Sequence, residues 1–386
     1  MAGRALIAAA CLALGVPGVA GAATVDVQST GENNELFYVA DPGEKNRLVV
    51  TRDGAAVRFV DPGATVTAGT GCMQLGPRAA ECTGSLIVNV ELRNRPDRVR
   101  ANGMLTLRAE GGPGADRLIG GPLGDRLDGG PGPDVLKGRG SGFDTASYFS
   151  RSEDLRVTLG DGKRNDGSGL DGAKRDRLAG IENVLGGSGD DLLVGDGKDN
   201  SLVGSAGNDV LRGRGGGDDL HGGDGRDRAV GARGPDFFTP GAGNDRHFGG
   251  RGRDHFQDGV FDGADLHAGG PGHDILQAQQ GTQRLSLDGE ANDGQCADPA
   301  CTSSDEGDNL VSIEELLVGF GDDLLIGSKH NEVFNPFPGA DRVFAGGGDD
   351  VINVAVDGDV DLYDCGPGID QILGTPDIFD QNPNCE

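Results

Sequence analysis

A nine-residue repeat of glycine and aspartate runs through the middle of the chain. From residue 186 it reads GGSGDDLLV, GDGKDNSLV, GSAGNDVLR, GRGGGDDLH, GGDGRDRAV, GARGPDFFT, PGAGNDRHF and GGRGRDHFQ, and after two further residues VFDGADLHA and GGPGHDILQ. Each unit has Asp or Asn at its sixth place, and most have an apolar residue at the eighth. Glycine recurs at the first, second and fourth places, where it gives the backbone access to left-handed conformations. The repeat therefore predicts six residues of turn followed by a three-residue strand.

The repeat also predicts how the strands assemble. Side chains alternate across a strand, so the eighth-place residue points inward and its two neighbours point outward. Two nonapeptides form one coil, and the coils stack as parallel strands with turn above turn. The predicted fold is therefore an all-β parallel β-roll or β-solenoid, with an N-terminal β cap and wider inserted coils. The sixth-place residues fall into two columns: Asp191, Asp209, Asp227 and Asp245 on one edge, and Asn200, Asp218, Asp236 and Asp254 on the other.

Stacked carboxylates require a counter-charge. Strands in a sheet lie about 4.8 Å apart, and two carboxylates at roughly 5 Å repel by about 3 kcal/mol at an effective dielectric near 20. Several such pairs would exceed the stability of an ordinary domain, which is roughly 5–15 kcal/mol. Ca²⁺ is suitable because it takes six to eight oxygen ligands, including carboxylates and backbone carbonyls. The alternative is a solenoid of Asx-turns, in which each aspartate bonds only to its own turn.

The repeats resemble those of the repeats-in-toxin (RTX) family over residues 111–146, 186–277 and 318–353. The resemblance implies that Ca²⁺ is held between successive coils by sixth-place aspartates and turn carbonyls. The aspartates that match this role are Asp116, Asp125, Asp134, Asp191, Asp209, Asp218, Asp227, Asp236, Asp245, Asp254, Asp265, Asp274, Asp323, Asp341 and Asp350. No other cofactor is expected.

Some units depart from the pattern, and there we expect incomplete occupancy. Asn200 and Glu332 replace the sixth-place aspartate, and the unit at 336–344 keeps only its fourth-place glycine. Ala229 and His247 stand at eighth places, where most units have a larger apolar residue.

Composition restricts the classes of function. The chain contains 72 glycines and one apolar side chain per nonapeptide, so its core is thin and metal binding should contribute folding free energy. The net charge of −28 argues against nucleic acid as a partner and against binding to anionic membranes. Beyond the first residues no segment is long and apolar enough to span a bilayer. The expected partners are calcium ions and an unidentified cell-surface or matrix component.

The N-terminus and the cysteines indicate export. Residues 1–22 have the pattern of a secretory signal peptide, with an apolar run and an A-x-A cleavage site, so we expect a secreted, extracellular protein. Six cysteines remain after its removal, an even number that favours disulfides in an exported chain. Fifteen connectivities are possible, and we expect local pairing. Zinc is the disfavoured alternative, because there is no C-x-x-C. The close pairs are Cys72/Cys82, Cys296/Cys301 and Cys365/Cys385.

The predicted organisation along the chain has eight segments. Two long interruptions of the repeat resemble each other, sharing N-D-G and a later D-x-L-x-x-I-E, and each N-D-G is either an extra cation site or, as we favour, an ordinary turn. The closing stretch resembles the disulfide-closed ends of secreted actinobacterial-type calcium-binding proteins of unassigned role. The segments are the signal 1–22, β cap 23–110, repeats 111–146, insert 147–185, repeats 186–277, insert 278–317, repeats 318–353 and C-terminal cap 354–386.

Catalytic motifs are missing from the sequence. It contains no H-E-x-x-H of zinc proteases and no G-x-S-x-G of lipases. The sequence therefore predicts a protein that is not an enzyme, and that serves as a secreted structural or adhesive calcium-binding β-roll with calcium-dependent folding. Two alternatives stay open: an extracellular hydrolase acting on polysaccharide or protein along the solenoid scaffold, and a calcium buffer or mineral-nucleating protein.

Overall fold

The computed structural model describes residues 22–30, 33–169, 175–258, 263–278, 283–287, 294–295, 308–354, 357–375 and 385. The regular elements of these residues are β-strands, and most of their pairings are parallel. The chain divides into two compact units, one up to Asp144 and one from Thr145 onward. The predicted all-β parallel β-roll is confirmed.

The first unit contains thirteen of the described strands. They are β1 Ala22–Thr30, β2 Asn33–Val39, β3 Arg47–Asp53, β4 Ala56–Val60, β5 Thr65–Ala68, β6 Cys72–Gly76, β7 Ala79–Thr83, β8 Ile87–Glu91, β9 Arg98–Asn102, β10 Thr106–Glu110, β11 Arg117–Ile119, β12 Arg126–Asp128 and β13 Val135–Lys137.

The second unit contains the other described strands. They are β14 Thr145–Ser147, β15 Leu155–Thr158, β16 Gly167–Ser168, β17 Arg177–Ala179, β18 Asn183–Leu185, β19 Leu192–Val194, β20 Ser201–Ala206, β21 Val210–Arg212, β22 Asp219–Asp224, β23 Arg228–Arg233, β24 Phe237–Ala242, β25 Arg246–Arg251, β26 His255–Asp258, β27 Leu266–Ala268, β28 Ile275–Ala278, β29 Gln283–Ser286, β30 Gly294–Gln295, β31 Asn309–Val311, β32 Glu315–Leu317, β33 Leu324–Ile326, β34 Val333–Asn335, β35 Arg342–Phe344, β36 Val351–Asn353, β37 Leu362–Asp364 and β38 Gln371–Leu373.

The first unit begins with antiparallel hairpins and continues as parallel coils. One wall has the order β5–β1–β2–β8–β10–β12, in which only β1 and β2 are antiparallel. The other wall has the order β6–β7–β4–β3–β9–β11–β13, antiparallel up to β3 and parallel beyond it. Alternating residues of these strands, such as Val99 and Leu118, are buried and form the core. The hairpins correspond to the predicted N-terminal β cap.

The second unit is built of the predicted coils. One wall has the parallel order β14–β18–β20–β22–β24–β26–β28–β32–β34–β36–β38. The parallel strands β15–β19–β21–β23–β25–β27–β31 and β29–β33–β35–β37 form the other wall. Ser201 lies beside Asp219, and Asp219 beside Phe237, so each coil of the uniform repeat contains 18 residues. Two nonapeptides therefore make one coil.

The two interruptions of the repeat form wider coils with the same pairing pattern. Thr145 pairs with Asn183 in the first and Ile275 with Glu315 in the second, which places the next strand of that wall 38 and 40 residues later. Each insert contains a short antiparallel pair, β15 with β16 and β29 with β30. The first strand of each pair also pairs in parallel with the next coil, β15 with β19 and β29 with β33. The inserts therefore leave the register of the roll intact.

The core of the second unit is a double row of eighth-place side chains. Most are Leu or Phe, and all ten in the 186–277 run are fully buried. His247 and His267 occupy two neighbouring places, with 3.3 Å between their Nδ1 atoms. Phe238 and Phe256 lie opposite, with ring centroids 5.8 Å from His247 and 5.5 Å from His267. The thin core therefore widens here into a cluster of four rings.

Two of the three predicted disulfides lie within the described residues and are confirmed. Cys72 pairs with Cys82 across β6 and β7, and Cys365 pairs with Cys385. The third predicted pair, at 296 and 301, lies outside the described residues, as do residues 1–21 of the predicted signal. In the part of the chain that is described, no helix has the length and apolar character needed to cross a membrane.

Candidate metal centre

The sixth-place aspartates hold neighbouring coils together. All fifteen predicted site aspartates are 0–3 % exposed. In each, Oδ1 accepts the backbone N–H at the corresponding place of the neighbouring coil, at 2.6–2.9 Å. The Asp209 N–H, for example, donates to Oδ1 of Asp227, 18 residues along the chain, at 2.7 Å. One carboxylate oxygen per nonapeptide is thus committed to a structural bond.

The two columns extend further than the sequence prediction. Further carboxylates accept the same bond at 2.6–3.0 Å, and they are Asp97, Asp144, Asp308, Glu314, Asp361 and Asp370. A shorter pattern marks some of them, namely an aspartate followed two residues later by an inward-facing apolar residue. Examples are P-D-R-V at 96–99 and F-D-T-A at 143–146. Around Asp97 the glycines of the full nonapeptide are missing, whereas Gly140 and Gly142 stand at the second and fourth places before Asp144, which was nevertheless not among the predicted sites.

The second carboxylate oxygen, Oδ2, is the unusual feature of nine of the fifteen site aspartates. It is buried and has no hydrogen-bond partner among the described residues in Asp209, Asp218, Asp227, Asp236, Asp245, Asp254, Asp274, Asp323 and Asp350. A buried polar atom without a partner is strongly unfavourable, and a buried charge more so. A series of such oxygens at one place of a repeat indicates that a group outside the protein satisfies them.

These oxygens converge with backbone carbonyls on the first-place glycine. A methyl group placed on the α-carbon of Gly204 would lie 2.2 Å from Oδ2 of Asp209 and 2.5 Å from the carbonyl oxygen of Gly222, one coil away. At Gly269 the equivalent distances to Oδ2 of Asp274 and the carbonyl oxygen of Ser312 are 2.4 and 2.3 Å. Only glycine leaves this space open. The result is a small cradle with a carboxylate oxygen on one side and a carbonyl oxygen on the other.

Burial raises the pKa of the column carboxyls toward neutrality. The pKa is raised to about 7 for Asp209, Asp218, Asp227 and Asp236, first by burial and second by neighbouring carboxylates. For Asp341 it is raised to about 8 for the same reasons. Hydrogen bonds from the neighbouring coil oppose the rise without cancelling it. A bound cation would reverse this shift, because it favours the charged form.

At several places of the columns the second polar atom of the side chain is already satisfied. Asp125 accepts from the Gly121 N–H at 2.7 Å, and Asp191 from the Gly187 N–H at 3.0 Å. Asn200 accepts from the Asp196 N–H at 2.8 Å and donates through Nδ2 to the Glu182 carbonyl at 3.0 Å. Glu332 bonds to the backbone and hydroxyl of Ser328. These turns match the alternative interpretation, in which the side chain bonds within its own Asx-turn. The turns whose Oδ2 has no partner among the described residues do not match it.

The donor set restricts the metal. Among the described residues no three His, Cys, Asp or Glu side chains come close enough to hold an ion by themselves. A cation in these turns must therefore take several ligands from backbone carbonyls. Hard, oxygen-only coordination with few carboxylates suits Ca²⁺ and excludes the nitrogen and sulfur ligands typical of structural zinc.

Comparison with known proteins agrees with this geometry. A family model that describes four copies of the RTX calcium-binding nonapeptide repeat matches the chain over five ranges. They are residues 108–136, 119–142, 185–220, 221–256 and 338–360. The chain contains RTX-type calcium-binding repeats. No curated protein matches it closely enough to count as a relative. The family assigns Ca²⁺ to the RTX turns, and the open cradles beside the first-place glycines are where the residues of this chain fit the ion.

The N-D-G motif of the first insert is not a simple turn. Asp166 is buried, its Oδ1 accepts the Thr158 N–H at 2.8 Å, and its backbone pairs with Asp176. Its pKa is raised to about 7 by burial and by Asp161 and Asp176. The aspartate thus ties the antiparallel pair of the insert together. The Asn292 and Asp293 of the second motif lie outside the described residues.

Proposed function

We propose that this RTX-type protein is secreted and folds when it meets extracellular Ca²⁺, to serve as a structural or adhesive β-roll. The proposal rests on one observation: in nine sixth-place aspartates the buried Oδ2 atom has no hydrogen-bond partner among the described residues. RTX repeats are typical of secreted proteins, and the sequence begins with a signal-like segment.

Calcium-dependent folding follows from the energetics of the columns. Without a cation the roll must either bury negative charges or bind protons at carboxyls whose pKa is near 7. With one apolar side chain per nonapeptide, the core offers little to offset that cost. Binding energy at the cradles then becomes folding energy. At low cytosolic calcium the chain stays unfolded, and it folds after export.

The test is circular dichroism of the purified chain at pH 7.5, in excess chelator and in saturating Ca²⁺. We expect the β signal to be lost in chelator and to return on calcium addition, and not on an equal charge of Na⁺. Full β content in chelator would refute calcium-dependent folding. Export is tested separately, by sequencing the N-terminus of protein recovered outside the cell, which we expect to begin after Ala22.

We also propose that the protein binds rather than catalyses. A place at which the hydrolase alternative can be tested is a pocket in the first unit whose lining includes Pro42, Glu91, Arg93, Asn94 and Glu110. Glu91 and Glu110 lie side by side on β8 and β10, and burial raises the pKa of Glu110. Paired carboxylates of this kind can cleave glycosidic bonds. Hydrolysis of a polysaccharide panel that is lost in Glu110→Gln would overturn the non-catalytic role.

A further inference from the structure

The outward side of one sheet in the first unit is basic, although the chain as a whole is strongly acidic. We call this side the arginine face. It is formed by β4, β3, β9, β11 and β13, which lie next to one another in that order. Its basic side chains, all exposed, are Arg47, Arg58, Arg98, Arg100, Arg117 and Lys137. The net charge of the chain is −28, so this concentration of positive charge is not a consequence of composition.

Three of these arginines form a column. Arg47 lies beside Arg98, and Arg98 beside Arg117, on three neighbouring parallel strands. Strands are about 4.8 Å apart, and like charges directly opposite each other destabilise a sheet. Among the described residues, none of these three side chains forms an ion pair. Two carboxylates lie on this side of the sheet: Glu81 on β7 is paired with Arg58 at 3.0 Å, and Asp53 is exposed at the far end of β3 from Arg47.

We propose that the arginine face binds a linear acidic polysaccharide that carries a carboxylate on its sugars. A guanidinium binds a carboxylate through two parallel hydrogen bonds, and a column of three would hold successive carboxylates of one chain. Thr51 and Asn102 lie two rows further along the same face, beyond Arg100, and offer hydrogen-bonding groups to sugar hydroxyls. The partner would relieve the repulsion that the free column carries.

Two other anionic partners fit the face less well. Single-stranded nucleic acid binds through bases stacked on aromatic rings, and the outward positions of these five strands carry no aromatic residue. A bilayer is broad and flat, whereas the face is only about 19 Å across its five strands. A membrane would therefore also meet the carboxylates that flank the arginines, such as Asp53 and Glu81. A single polysaccharide chain is slim enough to contact the arginines alone.

The experiment measures binding of a short fluorescein-labelled oligogalacturonate, which does not gel with calcium, to the full chain by fluorescence polarisation. The measurement is made in saturating Ca²⁺, because the arginine face forms only when the strands are folded. We expect saturable binding that weakens with added salt. The triple variant Arg47→Gln, Arg98→Gln, Arg117→Gln should bind about tenfold more weakly or worse, as expected for the loss of several exposed ion pairs. The single variant Arg98→Gln should lose a smaller part of the affinity, and it serves if the triple variant does not fold.

The matched control changes the same charge elsewhere. Arg78 lies in the turn between β6 and β7, and Arg108 and Arg126 lie side by side on β10 and β12 of the other wall; all three are exposed, and their triple Gln variant should bind like the wild type. The triple Lys variant of the column keeps the charge without the planar fork and should fall between wild type and the Gln variant. The proposal is overturned if the wild type shows no saturable binding, if both Gln triples weaken binding equally, or if anionic vesicles or single-stranded DNA bind as tightly through the same arginines.

Discussion

Replacing one column carboxylate by its amide should change stability in opposite directions with and without calcium. In Asp227, Oδ1 accepts the Asp209 N–H at 2.7 Å, while the buried Oδ2 has no partner among the described residues. Burial raises its pKa from 3.8 to about 7. Because the folded-state pKa is raised, the cost of ionisation is absent below pH 4 and complete above pH 7. A shift of about three units corresponds to about 4 kcal/mol at most.

Asp227→Asn keeps the Oδ1 acceptor and removes the charge. We therefore expect the calcium-free variant to gain up to about 4 kcal/mol at pH 8. With calcium bound it should be destabilised, because an amide nitrogen cannot ligate the ion. A trimethylamine-N-oxide titration measures the calcium-free form, since this osmolyte folds marginal chains. Urea unfolding measures the calcium-loaded form.

Asn200→Asp is the reciprocal control for this prediction. The Asn200 amide is fully bonded, to the Asp196 N–H and the Glu182 carbonyl. Its conversion to a carboxylate should therefore make folding at that coil more dependent on calcium. A finding that Asp227→Asn is less stable than the wild type in both solutions would contradict the assignment of a cation to Oδ2.

Three further predictions follow from the same description. Gly204→Ala places a methyl group 2.2 Å from Oδ2 of Asp209 and should abolish calcium binding at that turn by calorimetry, while Gly197→Ala, with open space around it, should not. The calcium-free chain should gain β signal as the pH falls from 8 to 5, because column carboxyls with a pKa of about 7 become neutral; a signal that falls instead would exclude protonation as a substitute for calcium. His247→Leu with His267→Leu should raise the thermal midpoint most below pH 6, because burial and His267 lower the pKa of His247, so that this pair loses stability as the pH falls; equal midpoints at pH 5 would refute it.

The repeat predicted the roll because its physical constraints are local. A glycine-rich turn, a strand of three residues and one inward apolar side chain can all be read within nine residues, as at Gly204 to Arg212. The columns of aspartates follow once coils of 18 residues are stacked. The cap hairpins, the two wide coils and the two described disulfides also agreed with sequence patterns.

The different roles of the two carboxylate oxygens, Oδ1 bonding to the neighbouring coil and Oδ2 left for a cation, could not be predicted from the sequence. The bond from the Asp209 N–H to Asp227 depends on the vertical offset between coils, which spacing along the chain does not specify. Asp191 has the same flanking sequence type as the open positions, yet its Oδ2 bonds to Gly187, and nothing in the local sequence marks this difference. The extension of the columns to Asp97 was missed because no glycine of the nonapeptide precedes it, whereas Asp144 follows Gly140 and Gly142 and was overlooked.

The bond between coils makes the roll tolerant of added length. Between β25 and β27 the spacing rises from 18 to 20 residues, yet the Asp245 N–H still meets Oδ1 of Asp265 at 2.7 Å. The two wide coils absorb far larger additions and return to register. Such a scaffold can gain or lose whole rungs through recombination without passing through misfolded intermediates. It could also display a foreign loop at either wide coil, which makes the architecture a natural starting point for engineered, calcium-triggered presentation of peptides.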